Sequence, residues 1–226
     1  MPSGIDLAAF LGSSIHEVKN HLGLAVHKVE SLRDTSTTLS NSDKSELLDL
    51  QNVLALVNSE LVNTLLVFRA QNQLLDPCIE EVWVQTFLED IVASMQPLVT
   101  GKPYSLAVEG AEVEGYFDGA MLKNVIQTAL FNATRYANGI IILSAWKRGS
   151  GVVIAIEDDG PGFPPELENK RGEEIEHGNV QEQNTGLGLW FAQMIAQLHR
   201  NKEEKGFIEL KRSTKFGGAS LQIFIP

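Results

Sequence analysis

The sequence predicts an α+β protein in two parts. A helical hairpin over residues 1–75 pairs with a second copy into a dimeric four-helix bundle, and an α/β sandwich follows over residues 76–226. Three observations predict this. The N-terminal third carries apolar residues at alternating steps of 4 and 3, the mark of a helix seam. Asp76-Pro77 then breaks the helical pattern. Beyond it, short β-rich runs alternate with helical segments, as in antiparallel sheets with segregated helices.

In chain order, the first seam runs Leu11, Ile15, Val18, Leu22, Ala25, Val29 and Leu32 within residues 7–33. The stretch Asp34–Asp43 is polar and rich in turn formers, with Ser42 or Asp43 as the expected N-cap of the next helix. The second seam runs Leu47, Leu50, Leu54, Val57, Leu61, Leu65 and Phe68, widened by Leu48, Val53, Leu56, Val62 and Leu66. Two helices with faces this broad cannot bury them against each other alone, so a homodimeric bundle is the simplest solution. A hairpin packed on the rest of its own chain is the alternative. Past residue 76, strands are expected at 80–84, 104–108, 113–117, 139–147, 151–158, 206–213 and 218–225, and helices at 85–98, 118–137 and 186–199. Residues 164–183 are polar and aperiodic, the pattern of a functional lid or a disordered excursion.

Composition narrows the function classes. The chain of 226 residues is 43% hydrophobic and 21% charged, which suits a folded protein. Its formal net charge of -11 gives no counterion-release affinity for nucleic acid and opposes an anionic lipid surface. Cys78 is the single cysteine, so no intramolecular disulfide forms and a reducing compartment is expected. No signal peptide is legible, and unbroken apolar runs such as Ile140–Trp146 fall short of the ~20 residues that span a bilayer. The expectation is a cytoplasmic protein without direct membrane insertion.

Three segments of the second part carry chemistry. Asp158-Asp-Gly160-Pro-Gly162-Phe follows the strand Val152–Glu157 directly, and Thr185-Gly186-Leu187-Gly188-Leu opens a helix. Asn132-Ala-Thr-Arg135-Tyr136 lies near the end of the preceding helix. A carboxylate at a strand end can accept a hydrogen bond from an exocyclic amine, and glycines let backbone approach a planar base. Gly186 and Gly188 at a helix N-terminus offer free N–H groups to phosphates. Asn132 has a carbonyl oxygen suited to Mg²⁺, and Arg135 can pair with phosphate oxygens. A bare GxG is usually a turn. The order and spacing of all three, with Asn132 and Asp158 twenty-six positions apart, are far more specific.

Taken together, these motifs resemble the Bergerat-fold ATPases, the superfamily of histidine kinases, gyrase, heat-shock chaperone ATPases and MutL-type repair proteins. The resemblance covers residues 80–226, including the closing Gly217-Gly-Ala-Ser-Leu-Gln-Ile-Phe-Ile-Pro226. It implies that Asp158 binds the adenine amine of ATP, that Asn132 binds Mg²⁺ and that Tyr136 lies against the base. The chain departs from the kinase pattern at Thr128, where a second Asn is common, and lacks the phenylalanine-bearing lid segment. Its lid also holds Glu166, Glu168, Glu173, Glu174, Glu176 and Glu182 against Lys170 and Arg171.

Five histidines are available: His16, His21, His27, His177 and His199. His16 lies one residue past the seam position Ile15, at the bundle edge, and a neutral imidazole is a competent nucleophile. Asn20 follows one turn later on nearly the same face. The string Ser14-Ile15-His16-Glu17-Val18-Lys19-Asn20-His21-Leu22 resembles the H-box of histidine kinases. That resemblance implies His16 as phosphoacceptor, Glu17 as acid–base residue and Asn20 as the group that orients the dephosphorylating water. The other histidines read as structural, with His199 placed as a cation at a helix C-terminus.

The reading is an ATP-dependent histidine kinase that phosphorylates His16 and passes the phosphoryl group to the aspartate of a response-regulator receiver domain. Its competitor is a histidine phosphotransferase whose ATP domain has degenerated. A chaperone- or repair-type ATPase is disfavoured, because the hydrolytic Glu of those enzymes falls at Thr128.

Overall fold

The computed structural model describes residues 18, 20–29, 31–32, 39–72, 74–99, 105–175 and 187–226. The chain divides into two compact units, Met1–Leu75 and Asp76–Pro226.

In the first unit, residues 20–29 form helix α1, with 18, 31 and 32 also helical. Helix α2 spans Asn41–Gln71. Its N-cap is Ser40, not Ser42 or Asp43 as the composition suggests. The reason is a capping box. The Ser40 hydroxyl accepts from Asp43 N at 3.2 Å, while the Asp43 carboxylate accepts from Ser40 N at 2.9 Å. Asp43 therefore belongs to the first turn, where those hydrogen bonds from Ser40 hold its carboxyl below the usual range.

The expectation that no segment is long and apolar enough to cross a bilayer fails on α2. Glu46–Ala70 runs 25 residues and contains an 18-residue stretch with a mean hydropathy of 1.4, sufficient by length and composition alone, of which 6% is buried. Asn58, Ser59, Glu60 and Asn63 leave no unbroken apolar run, yet the average across them stays at 1.4.

The second unit is built on a five-stranded sheet in the order β2-β4-β5-β9-β8. The strands are β2 (Ser105–Glu109), β4 (Ile140–Arg148), β5 (Gly151–Asp158), β8 (Phe207–Arg212) and β9 (Ala219–Ile225). All pairings are antiparallel except β2 with β4, which are parallel because an intervening strand and helix return the chain to the same end. Helices α3 (Val84–Val99), α4 (Gly119–Tyr136) and α5 (Leu187–Leu198) pack on one another and on this sheet. A short pair, β1 (Glu80–Trp83) with β3 (Glu114–Phe117), and a tight hairpin, β6 (Arg200–Asn201) with β7 (Glu204–Lys205), complete it. The expected strands and helices are found within a residue or two of their sequence bounds.

The core follows from the patterns. β5 is covered on both faces, so Val152, Val153, Ile154, Ala155 and Ile156 are all buried, and the strand reads as a continuous apolar run. α4 buries Met121, Leu122, Val125, Ile126 and Ala133, at helical spacing. Asp118 caps α4 by accepting from Met121 N at 2.9 Å, and its other oxygen accepts from Cys78 N at 2.9 Å.

His199 is structural, but not as a cation. It is 1% exposed. Its Nε2 accepts from Asp118 N at 3.0 Å, which requires that nitrogen to be unprotonated, so Nδ1–H donates to Ile195 O at 2.8 Å. Burial is the main cause holding its pKa below the usual imidazole value, against the hydrogen bond to Ile195 and the Asp118 charge. The ring therefore joins α4 to α5 in its neutral form.

Candidate nucleotide site

A cavity of about 490 Å³ opens between α4, α5 and the sheet. Its size suits a small organic ligand. Among its lining residues are Asn132, Arg135, Tyr136, Asp158, Gly162 and Gly188, brought from three segments far apart in sequence. The topology explains the meeting. Asp158 ends β5 beneath the last turns of α4, and the first turn of α5 closes the third side. Of the remaining sequence candidates, Gly160 sits in the loop beside Asp158, and Leu187 opens α5. Thr185 and Gly186 lie outside the described residues.

Asp158 is only 6% exposed, and its Oδ1 accepts from Gly160 N at 2.8 Å and Ala219 N at 3.1 Å. Both recorded bonds fall on one oxygen, so the carboxylate is oriented while Oδ2 keeps its acceptor capacity. Gly160 has no room for a side chain, since a Cβ there would stand 2.6 Å from the Tyr136 carbonyl oxygen. Gly162 has φ +87°, a conformation that favours glycine. The Asn132 and Arg135 side chains are exposed at the rim, and the Arg135 guanidinium lies 5.9 Å from the Tyr136 ring centre. Apolar groups from Val125, Ile156, Phe163, Leu167 and Leu221 form the floor and walls.

This donor set fits an adenine nucleotide with a metal ion. An oriented buried carboxylate beside apolar walls suits a planar base carrying an amine. A rim amide and guanidinium, with a helix N-terminus nearby, suit phosphates. One amide oxygen is enough protein ligation for a Mg²⁺ that keeps water and phosphate oxygens.

Several features were not legible beforehand. The segment expected to be an aperiodic loop is partly built. Pro164, Pro165 and Leu167 line the cavity, Leu167 N and Glu168 N donate to Pro164 O, and Ile175 is buried. Residues 169 and 170 then bind the outer edge of β8, with Asn169 N donating to Leu210 O at 2.7 Å and Leu210 N donating to Lys170 O at 2.9 Å. Glu209 reinforces this edge by holding Arg171 at 3.3 Å and Lys211 at 2.6 Å. The signal was Leu167 and Ile175, two of the few aliphatic residues in a polar run. Of the acids in this segment whose side chains are described, Glu166, Glu168 and Glu174, none lines the cavity. Thr128 lines the cavity, and its hydroxyl donates to Asn124 O at 2.8 Å within its own helix. Asp159 is a further group that the motifs did not single out.

In the first unit, Asn20 lies exposed on α1, as do His21 and His27. His16, Glu17 and His177 lie outside the described residues.

Residues 117–226 match the family described as histidine kinase-, DNA gyrase B-, and HSP90-like ATPase. The sensor protein KdpD of Mycobacterium tuberculosis is 23% identical over 187 residues, covering 80% of this chain and 22% of KdpD. The sensor protein RstB of Escherichia coli is 30% identical over 155 residues, covering 67% of this chain and 33% of RstB. The chain thus spans between a fifth and a third of the length of these relatives. Among solved structures, full-length ShkA in complex with AMPPNP aligns with a TM-score of 0.62 at 21% identity, over 96% of this chain and 45% of ShkA. The Acinetobacter baumannii histidine kinase AdeS aligns with a TM-score of 0.58 at 18% identity, over 93% of this chain and 96% of that one. At these identities the two structures share the fold.

Proposed function

We propose, on the premise that residues 117–226 belong to the histidine kinase-, DNA gyrase B- and HSP90-like ATPase family, that this chain is an ATP-dependent protein histidine kinase of a two-component system. The observation that carries the reading is the single cavity joining Asn132, Tyr136, Asp158, Gly162 and Gly188. The sensor-protein relatives support the same activity and do not favour a phosphate relay that ignores ATP.

In this reading Asp158 Oδ2 accepts from the adenine amine, and Tyr136 lies against the base. Arg135 and the N–H groups opening α5, with Thr185, Gly186, Leu187 and Gly188, hold the phosphates. Asn132 would hold Mg²⁺, which supplies charge neutralisation at the phosphates when bound. The His16 imidazole nitrogen attacks the γ-phosphorus, the bond to the ADP oxygen breaks, and Glu17 takes the imidazole proton. The phosphoryl group then passes to an aspartate of a receiver domain, and Asn20 orients the water that hydrolyses that aspartyl phosphate to carboxylate and inorganic phosphate. Catalysis is mostly positioning and charge stabilisation.

The exposed Leu24 and Leu32 of the first unit, with Leu50, Val53 and Val57 of α2, support a homodimeric bundle. The lone cysteine and the requirement for ATP support a cytoplasmic catalytic unit.

Incubation with γ-labelled ATP should give an acid-labile, alkali-stable phosphoprotein. His16→Ala and Asp158→Asn should each abolish the label, and label should pass to a cognate receiver domain. Equal labelling of His16→Ala would sink the phosphoacceptor assignment. An absence of heat with Mg·ATP in calorimetry would favour the relay.

A further inference from the structure

Asp159 follows the base-facing carboxylate by one residue and is turned to a different task. Its Oδ1 accepts three consecutive backbone N–H groups, from Asn138 at 2.9 Å, Gly139 at 3.0 Å and Ile140 at 3.1 Å. Asn138 answers by donating from its side-chain Nδ2 to the Asp159 carbonyl at 2.7 Å. Successive N–H groups converging on one oxygen make a nest for an anion. Burial pushes the Asp159 carboxyl up, but the N–H groups of Gly139, Ile140 and Asn138 outweigh it and hold it below the usual carboxylate range. The residues in its grip form the turn between α4 and β4.

Beside this clamp lies a contact with no slack. The missing side chain of Gly160 lets the loop meet the carbonyl of Tyr136, where a Cβ would stand 2.6 Å from the oxygen. On its other side the same loop is tied to β9, through the bonds from Gly160 N and Ala219 N to Asp158 Oδ1. Loop 158–160 is therefore held from two directions. Asp158 fixes it to the sheet, and Asp159 fixes it to the end of the helix that carries Asn132, Arg135 and Tyr136.

We infer that Asp159 is a positioning residue: by clamping residues 138–140 it sets the separation between the Tyr136 end of α4 and the Asp158 carboxylate, and so the width of the base slot. The inference rests on the adenine-nucleotide reading of the cavity. A slot of wrong width weakens ground state and transition state alike, because the base is remote from the reacting phosphorus. Such a loss raises KM and leaves kcat nearly unchanged.

The test compares the full chain with Asp159→Ala, Asp159→Asn and Asn138→Ala, well below each unfolding temperature. Calorimetry with ADP gives the affinity, and autophosphorylation gives KM and kcat for ATP. Asp159→Ala should weaken ADP about tenfold and raise KM to match, with kcat kept within about twofold. Asp159→Asn retains a neutral acceptor and should stay within about threefold of the parent affinity. Amide hydrogen exchange at residues 138–140 should quicken in Asp159→Ala and, more weakly, in Asn138→Ala.

A well-folded Asp159→Ala chain that binds ADP like the parent, or that loses kcat while keeping KM, overturns the proposal. Should that variant fail to fold, Asp159→Asn and Asn138→Ala decide: parent-like affinity together with parent-like exchange in both also overturns it. A parent chain that binds no adenine nucleotide overturns the ATP reading, and the proposal with it. A parent that binds normally beside unmoved variants overturns the proposal alone.

Discussion

The two units treat the same kind of side chain in opposite ways. In Asp76–Pro226 the aliphatic residues of β5 vanish from the surface, with Ile154 and Ala155 at 0% exposure. In Met1–Leu75 the apolar face of α2 keeps Leu50 at 46%, Val53 at 55% and Val57 at 39%. The sequence is comparably apolar in both places. The difference lies in what covers it. A central strand is flanked by two strands and has its faces covered from within its own unit. α2 leaves these apolar side chains open. The core of the second unit is therefore complete within itself, whereas the apolar face of α2 would gain further burial only from a partner.

That contrast can be broken or sharpened by substitution. Ile154→Ala removes a fully buried side chain from β5 and should destabilise the second unit by about 3 kcal/mol, read by chemical denaturation. An effect below about 1 kcal/mol would mean the core is less closely packed than its burial suggests. Leu50→Asp with Val57→Asp should leave nucleotide affinity unchanged. If a second copy covers the seam, the same pair should weaken self-association about a hundredfold, roughly 2.7 kcal/mol, measured by sedimentation. Unchanged association would assign that face to another occupant.

Next in size is His199→Phe. It leaves the buried Asp118 N–H without its acceptor and should cost about 2 kcal/mol at neutral pH. The sign of the pH dependence follows from the lowered pKa. Because the folded protein holds this ring neutral, stability is full above the unfolded value of about 6.5 and is lost as pH falls through the lower folded value. The parent should therefore lose thermal stability on going below pH ~6.5, before the carboxylates titrate, and the variant should lack that slope. Ser40→Ala is the smallest of the four. It removes one arm of the capping box and should cost α2 about 1 kcal/mol, visible as fraying in circular dichroism.

Much of this molecule was legible in its residues. The strands and helices past residue 76 fall where alternation and helical spacing put them, because each pattern matches its burial. The three motifs that meet at the cavity were equally legible as motifs, since amide, carboxylate and glycine in that order carry a physical requirement at each position. What escaped had both local and distant causes. Ser40 prevailed over Ser42 as N-cap because only it has an acid three residues on to close the box. His199 looked like a cation at a helix end, yet a backbone N–H from Asp118, eighty-one positions away, fixes it as a neutral acceptor. The expectation that no segment is long and apolar enough to cross a bilayer failed on α2, whose polar residues break every apolar run while its averaged hydropathy stays high.

The residues alone determined which elements form and which chemistry they carry, because propensity, periodicity and turn chemistry act over a few positions. Only the tertiary structure decided which of those groups meet. Packing α4 and α5 on the sheet gathered Asn132, Tyr136, Asp158 and Gly188 around one cavity, and turned Leu167 into a wall of it. It also gave adjacent aspartates separate tasks, with Asp158 bonded toward β9 and Asp159 toward the turn after α4. No local rule separates two neighbouring carboxylates; the N–H groups that the fold brings to each of them do.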